Sequence, residues 1–190
     1  MRSIYLAGPD VFYPDFEQLV ARKAELVRQR GFLPIYAGVM DYPVAPSKWQ
    51  TGVAISAVNE LLMRGADMLI ANLTPFRGLA ADTGTAFEIG FMSARDKPIY
   101  AYSNASAKHT ERIVQFYNGE RRIDSSGLPR GSDNTLIEDF EMTDNLMIDG
   151  TVALRNGRIC VPPDGRDLPF DDLRVFEACL NALVLAECGK

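Results

Sequence analysis

Two carboxylates six residues apart, Asp82 and Glu88, are the side chains in this sequence best placed to do chemistry. They are the only charges in Asp82-Thr83-Gly84-Thr85-Ala86-Phe87-Glu88-Ile89-Gly90-Phe91, a segment otherwise small and apolar. A carboxylate in such surroundings costs several kcal/mol unless something binds it or its pKa moves. Paired carboxylates suit cleavage of a glycosidic bond, where one attacks or stabilises an anomeric carbon with oxocarbenium character. Asp82 stands where a helix N-cap would be, which puts Glu88 about one and a half turns into the helix and lets both face one cavity. Gly84 and Thr85 precede Glu88 by four and three positions, so the surface its side chain leans over is lined by small residues and leaves room for a ligand. The same residues also fit a structural role, with Asp82 as a cap only and Glu88 paired with Arg77 or with an arginine of another subunit.

Other groups gather around this pair. Tyr5, on the first apolar run, can hydrogen-bond a carboxylate and hold its rotamer, or simply be a core tyrosine with a satisfied hydroxyl. Phe12 and Phe76 can sandwich a flat heterocycle or belong to the core. Gly8-Pro9 and the Pro75-Phe76-Arg77-Gly78 loop supply turns next to the carboxylates, and this concurrence favours a binding site.

The elements that must position these groups follow from periodicity. Ser3 to Ala7 reads as a strand, and Phe16 to Arg30 as a helix ended by Gly31. Phe32 to Tyr36 is a second strand, followed by a loop with Gly38, Pro43 and Pro46 and a helix from about Val53 to Arg64. Met68 to Leu73, Thr83 to Arg95 and Lys97 to Tyr102 read as strand, helix and strand. This alternation predicts an α/β fold: a doubly wound parallel sheet, flavodoxin-like or Rossmann-like, with helices on both faces. Ligands of such sheets collect beyond the carboxyl ends of the strands, where Gly8-Pro9 and the loop from Thr74 to Asp82 must lie. Residues 1–190 read as a single domain with an irregular excursion at about 119–144. A hairpin or fifth strand is expected within Thr151 to Val161, and a final helix from about Asp171 to Cys188.

Composition narrows the chemistry. Of 190 residues, 47% are hydrophobic and 24% charged, enough for one domain that buries about 70% of its unfolded surface. The net charge of -5, with 20 scattered Lys and Arg, argues against a nucleic-acid partner. No run approaches the roughly 20 apolar residues of a membrane span, and the first residues are too short an apolar run for a signal peptide. Three cysteines without a Cys-x-x-Cys pair indicate neither a disulfide framework nor a zinc site and fit a reducing cytoplasm. His109 is the single histidine, which removes most Ser-His-Asp, Cys-His and multi-histidine metal arrangements. No metal and no cofactor are expected, so the chemistry must lean on carboxylates.

Four ordered segments resemble the nucleoside 2-deoxyribosyltransferase family. They are Ile4-Tyr5-Leu6-Ala7-Gly8-Pro9 with Phe12; Ala66-Asp67 to Leu73 with Pro75-Phe76-Arg77-Gly78; Asp82-x-Gly84-x-Ala86-Phe87-Glu88-Ile89-Gly90; and Asn145-Leu146-Met147. The resemblance implies that Glu88 attacks C1′ of a 2′-deoxynucleoside and that a second nucleobase captures the deoxyribosyl-enzyme with net retention. It implies further that Tyr5 orients Glu88, that Asp82 accepts hydrogen bonds from sugar hydroxyls, and that Asn145 and Met147 reach a neighbouring subunit's site in a homo-oligomer. Asn59 occupies the place where some members carry an aspartate that contacts and helps protonate the base, and an amide cannot replace an acid there. Two rival readings remain. One is a 2′-deoxynucleoside 5′-monophosphate N-glycosidase, disfavoured because Asp82 at the rim repels a phosphate. The other is a non-catalytic nucleoside or nucleotide sensor on the same scaffold.

Overall fold

The computed structural model describes residues 1–38 and 45–188; Pro43 of the expected loop lies outside them. Apolar alternation builds the centre. Successive residues of β1 (Ser3–Ala7), β3 (Met68–Asn72) and β4 (Ile99–Tyr102) point to opposite faces, as the two-residue strand period requires. Ile4, Ile70 and Tyr102 enter one core layer, while Tyr5, Leu69 and Ala101 enter the other. Both faces of the strands are therefore apolar, which is the signature of a sheet covered on both sides.

With β2 (Leu33–Tyr36) and β7 (Ile159–Cys160) the sheet has five strands in the order β2-β1-β3-β4-β7, all parallel. This is the flavodoxin-like order, whose strand sequence reverses direction between β1 and β3. Helices α1 (Phe16–Gln29) and α6 (Arg174–Cys188) pack on one face; α2 (Lys48–Gly65), α3 (Thr83–Ser93) and α5 (Leu146–Leu154) pack on the other. Between β4 and α5 lie α4 (His109–Phe116) and a small antiparallel hairpin, β5 (Arg122–Ile123) with β6 (Pro129–Arg130).

The parallel α/β architecture expected from the sequence is the observed one. Three local expectations need correction. Helix α2 begins at Lys48, five residues before Val53, because Ser47 caps it by accepting a hydrogen bond from the Gln50 amide at 3.2 Å. The excursion is not wholly irregular, since it carries the β5–β6 hairpin. Thr151 to Leu154 belong to α5 rather than to a hairpin: Asn145 caps that helix through the Met147 amide at 3.0 Å, and only Ile159–Cys160 adds the fifth strand.

Candidate active site

The floor of the site is built where β1 and β3 end. Gly8 follows β1 with φ 156°, and a Cβ there would lie 2.8 Å from the Asn72 Cβ, so only glycine lets the chain pass this close to β3. The chain then turns through a short 3-10 segment, Pro9–Phe12. Opposite it, Asp82 caps α3 by accepting from the Thr85 amide at 3.1 Å. A side chain at Gly84 would approach the Asp82 carboxylate to 2.9 Å, so glycine leaves that carboxylate its place.

Helix α3 therefore starts at a fixed point and delivers Glu88 onto the second core layer. Its carboxylate accepts a hydrogen bond from the Tyr5 hydroxyl at 2.7 Å, and Tyr5 itself is fully buried. Glu88 as a residue keeps partial exposure, yet its carboxyl is desolvated: burial pushes its pKa up from 4.5 to about 7, the Asp82 charge adds to the rise, and the Tyr5 hydrogen bond opposes it. Among the described residues no cation pairs with Glu88. The structural alternative of a Glu88–Arg77 pair is not realised, because the Arg77 guanidinium lies 4.9 Å and 4.7 Å over the rings of Phe12 and Phe76.

Gly8, Asp10, Phe12, Asn59, Asp82 and Glu88 line one cleft of about 150 Å³. That volume falls below the roughly 300–1,000 Å³ of pockets that enclose a whole drug-sized ligand, so these walls are too small to enclose such a ligand whole. The Asn59 side-chain carbonyl is buried without a partner, an acceptor left open at the cleft. A larger hollow of about 800 Å³ lies between α1 and the start of α6, lined by Arg22, Glu25, Asp172 and Arg174 among others. Arg174 and Asp172 pair there at 2.7 Å. We place the site at the smaller cleft because the carboxylate with a strongly displaced pKa is there.

Not every expected residue joins the cleft. Phe12 and Phe76 stack on each other, centroids 5.2 Å apart and planes 18° apart. A ring inserted between them would need about twice the 3.5–4.0 Å contact distance of carbon atoms, so the sandwich expected from the sequence is replaced by a stacked lip capped by Arg77. Pro9 is buried behind the lip. Asn145 and Met147 are farther away, on a hollow of about 370 Å³ between α3 and α5 that also includes Thr83, Ala86 and Gly90. There Asn145 Nδ2 donates to Glu138 at 3.2 Å, while Met147 is 68% exposed.

Sequence reasoning missed two supports. Arg112, largely buried, donates to the carbonyls of Leu79 at 2.6 Å and Thr143 at 2.8 Å and pairs with the fully buried Asp144. Asp144 in turn accepts from the Ala81 amide at 2.9 Å. This clamp ties the loop that presents Asp82 to the start of α5. Lys23, 2% exposed, pairs with Asp10 beneath the cleft. The available signal was a charge on the buried stripe Leu19, Val20, Lys23, Ala24, Val27 of α1.

A parallel sheet with a displaced carboxylate at its switch point, held by a tyrosine beside a second, capping carboxylate, defines a class of α/β proteins equipped for carboxylate chemistry on a small ligand. Comparison makes the assignment specific: the nucleoside 2-deoxyribosyltransferase family model matches residues 4–147, and the chain belongs to that family. A 2-desoxiribosyltransferase from Leishmania mexicana has a similar structure, with 28% identity and a TM-score of 0.65, covering 97% of this chain and 98% of that one. A conserved protein from Enterococcus faecalis V583, at 22% identity and a TM-score of 0.52 over 95% of this chain and 98% of that one, shares the fold. An uncharacterized protein of Schizosaccharomyces pombe is 27% identical over 173 residues, 83% of this chain and 80% of that protein. Among the described residues no helix is long and apolar enough to cross a membrane, and no cluster of three or more His, Cys, Asp or Glu could hold a metal ion.

Proposed function

We propose that this protein transfers 2-deoxyribose from a 2′-deoxynucleoside to another nucleobase through a covalent deoxyribosyl intermediate on Glu88. The observation that carries the reading is the Tyr5–Glu88 hydrogen bond of 2.7 Å at the floor of the cleft, on a carboxyl whose pKa stands at about 7. A desolvated carboxylate is a stronger nucleophile than a hydrated one, and near neutrality a large fraction of Glu88 is ionised.

In the first half, the Glu88 carboxylate forms a bond to C1′ as the C1′–N bond breaks, and the base departs with the electron pair and gains a proton. In the second, a nitrogen of the incoming base attacks C1′, the ester bond to Glu88 breaks, and the new nucleoside sheds a proton. Two inversions give net retention. Tyr5 fixes the Glu88 rotamer, and the free lone pairs of Asp82 accept from sugar hydroxyls. The open Asn59 amide, with the lip of Phe12, Phe76 and Arg77, contacts the base. Asn59 offers hydrogen bonds but no transferable proton, so base protonation does not run through this position.

Asn145 and Met147 complete the site of a neighbouring copy in a homo-oligomer. Support comes from their place outside their own chain's cleft and from apolar side chains exposed on the two helices that line their hollow, Phe87 of α3 at 57% and Leu146 of α5 at 37%. Recycling of deoxynucleosides in a reducing cytoplasm fits the free thiols of Cys160 and Cys179. The 5′-monophosphate hydrolase reading is disfavoured because Asp82 lines the cleft, a poor setting for a phosphate dianion. Incubation of adenine with deoxyinosine and, separately, with deoxyinosine 5′-monophosphate, followed by chromatography, tests the proposal. Deoxyadenosine is the expected product. Hypoxanthine alone points to a hydrolase, and neither product defeats both enzymatic readings.

A further inference from the structure

Asp10 is a buried carboxylate that the transfer mechanism does not use. It sits in the 3-10 turn directly after Gly8-Pro9, is 6% exposed, and lines the cleft with Asp82 and Glu88. The groups holding it come from two different elements. From α1, the buried Lys23 ammonium pairs with Asp10 Oδ2, donates to the Tyr102 hydroxyl at 2.6 Å, and lies 5.3 Å over the Tyr102 ring and 5.5 Å over the Phe176 ring. From the end of β3, the fully buried Asn72 donates through Nδ2 to Asp10 Oδ1 at 3.1 Å, its own carbonyl being fixed by the Thr74 amide at 3.0 Å. A buried ion pair is weak evidence for stability, since apolar replacements of similar volume are often as stable or more so. Its use here must lie elsewhere.

Each carboxylate oxygen can accept more than one hydrogen bond, and each oxygen of Asp10 has one named donor, so acceptor capacity remains for the cleft. An ionised carboxylate only accepts. Its complement is a hydroxyl or amine donor, and phosphate or carbonyl oxygens are the wrong partners. Lys23 neutralises the charge from the buried side, so a third carboxylate can stand beside Glu88 and Asp82 without excess negative charge. We infer that Asp10 is a substrate-facing acceptor for a hydroxyl group of the bound deoxyribose, with Lys23 and Asn72 as the positioning residues that hold it. This rests on the deoxyribosyl-transfer reading of the same cleft.

The test uses the paired variant Asp10→Asn with Lys23→Met, which removes both buried charges together and leaves neither ion alone. Each protein carries Glu88→Ala to prevent turnover, and calorimetry gives its Kd for a 2′-deoxynucleoside and for the corresponding 2′,3′- and 2′,5′-dideoxynucleosides. Replacing a charge-assisted hydrogen bond by a weaker one raises Kd for the 2′-deoxynucleoside about 10- to 100-fold. The difference between paired variant and parent vanishes for whichever dideoxynucleoside lacks the hydroxyl that Asp10 accepts. Unchanged affinity for all three ligands, or equal loss for all three, overturns the inference. If the paired variant does not fold, Asp10→Glu, which keeps the charge but displaces the carboxyl by one methylene, is read by the same ligand comparison. Failure of the broader reading appears separately: a wild-type protein that neither binds nor exchanges 2′-deoxynucleosides overturns both.

Discussion

The two faces of the sheet are built from helices of different kinds. On one face, α1 and α6 bury apolar stripes such as Leu19, Val20, Ala24 and Val27 and turn charges to water, with Arg30 reaching Glu177 at 3.8 Å and Asn181 at 2.7 Å. Leu185 is the large apolar side chain they leave exposed among the described residues. On the other face, α2 buries Met63 alone and exposes Trp49 at 76%, Val53 at 49% and Leu61 at 68%. Phe87 of α3 and Met147 and Leu154 of α5 are exposed as well. The first face is finished within one chain. The second carries Glu88 and leaves an apolar surface that single chains rarely present in bulk, which is the surface the proposed association would bury.

Substitutions on the two faces separate these roles. The largest effect is expected from Glu88→Ala, with exchange falling at least about 10⁴-fold because the proposed nucleophile is gone; assay of purified protein at saturating donor measures it. Its stability should rise in a pH-dependent way. A carboxyl whose folded pKa of about 7 exceeds its unfolded 4.5 favours folding at low pH, and stability falls as pH rises from 4.5 to 7, where the folded state binds more protons. Removing Glu88 should therefore stabilise by up to roughly 3 kcal/mol at pH 8 and much less at pH 5, read by urea melts at both pH values.

On the finished face, Leu180→Ala in α6 should cost about 2–5 kcal/mol in the same melts. It should leave KM for the donor unchanged below the melting range, because Leu180 is a core residue that does not line the cleft. A KM that rises with the stability loss would erase the distinction between faces.

On the unfinished face, Met147→Glu should shift light-scattering mass toward the monomer and lower exchange about 100-fold, on the scale of a lost interface anchor. The matched change Leu185→Glu on the other face should alter neither. Equal behaviour of the two variants would show that the apolar surface is not used. The smallest effect belongs to Tyr5→Phe, where kcat should drop about 10-fold through loss of one charge-assisted hydrogen bond. Because that bond holds the Glu88 pKa down, the acid limb of the kcat/KM profile should move above 7 in this variant.

Legibility in the sequence follows the same division. The boundaries of α1 and β1 were readable because a helix or strand that completes its own core shows its period plainly. Helix α2 starts five residues before the expected Val53; its outward face is apolar too, which blurs its period. Glu88 and Asp82 are legible because a charge in a small, apolar segment has few inexpensive explanations, whereas Tyr5 joins them only through the family resemblance. Asp10 is not legible, since its two partners, Lys23 and Asn72, lie on other elements. The Phe12–Phe76 contact was also hidden, because aromatic types alone do not reveal whether two rings face a ligand or each other.

In the proposed transfer Glu88 carries the sugar between two bases. Acid quenching of the protein during turnover with a 2′-deoxynucleoside alone, then proteolysis and mass spectrometry, tests it most directly. The expected result is a deoxyribosyl increment on the peptide that contains Glu88, lost on addition of an acceptor base and absent from Glu88→Ala. Exchange without any adduct, or an adduct of the same size on a different residue, would contradict it.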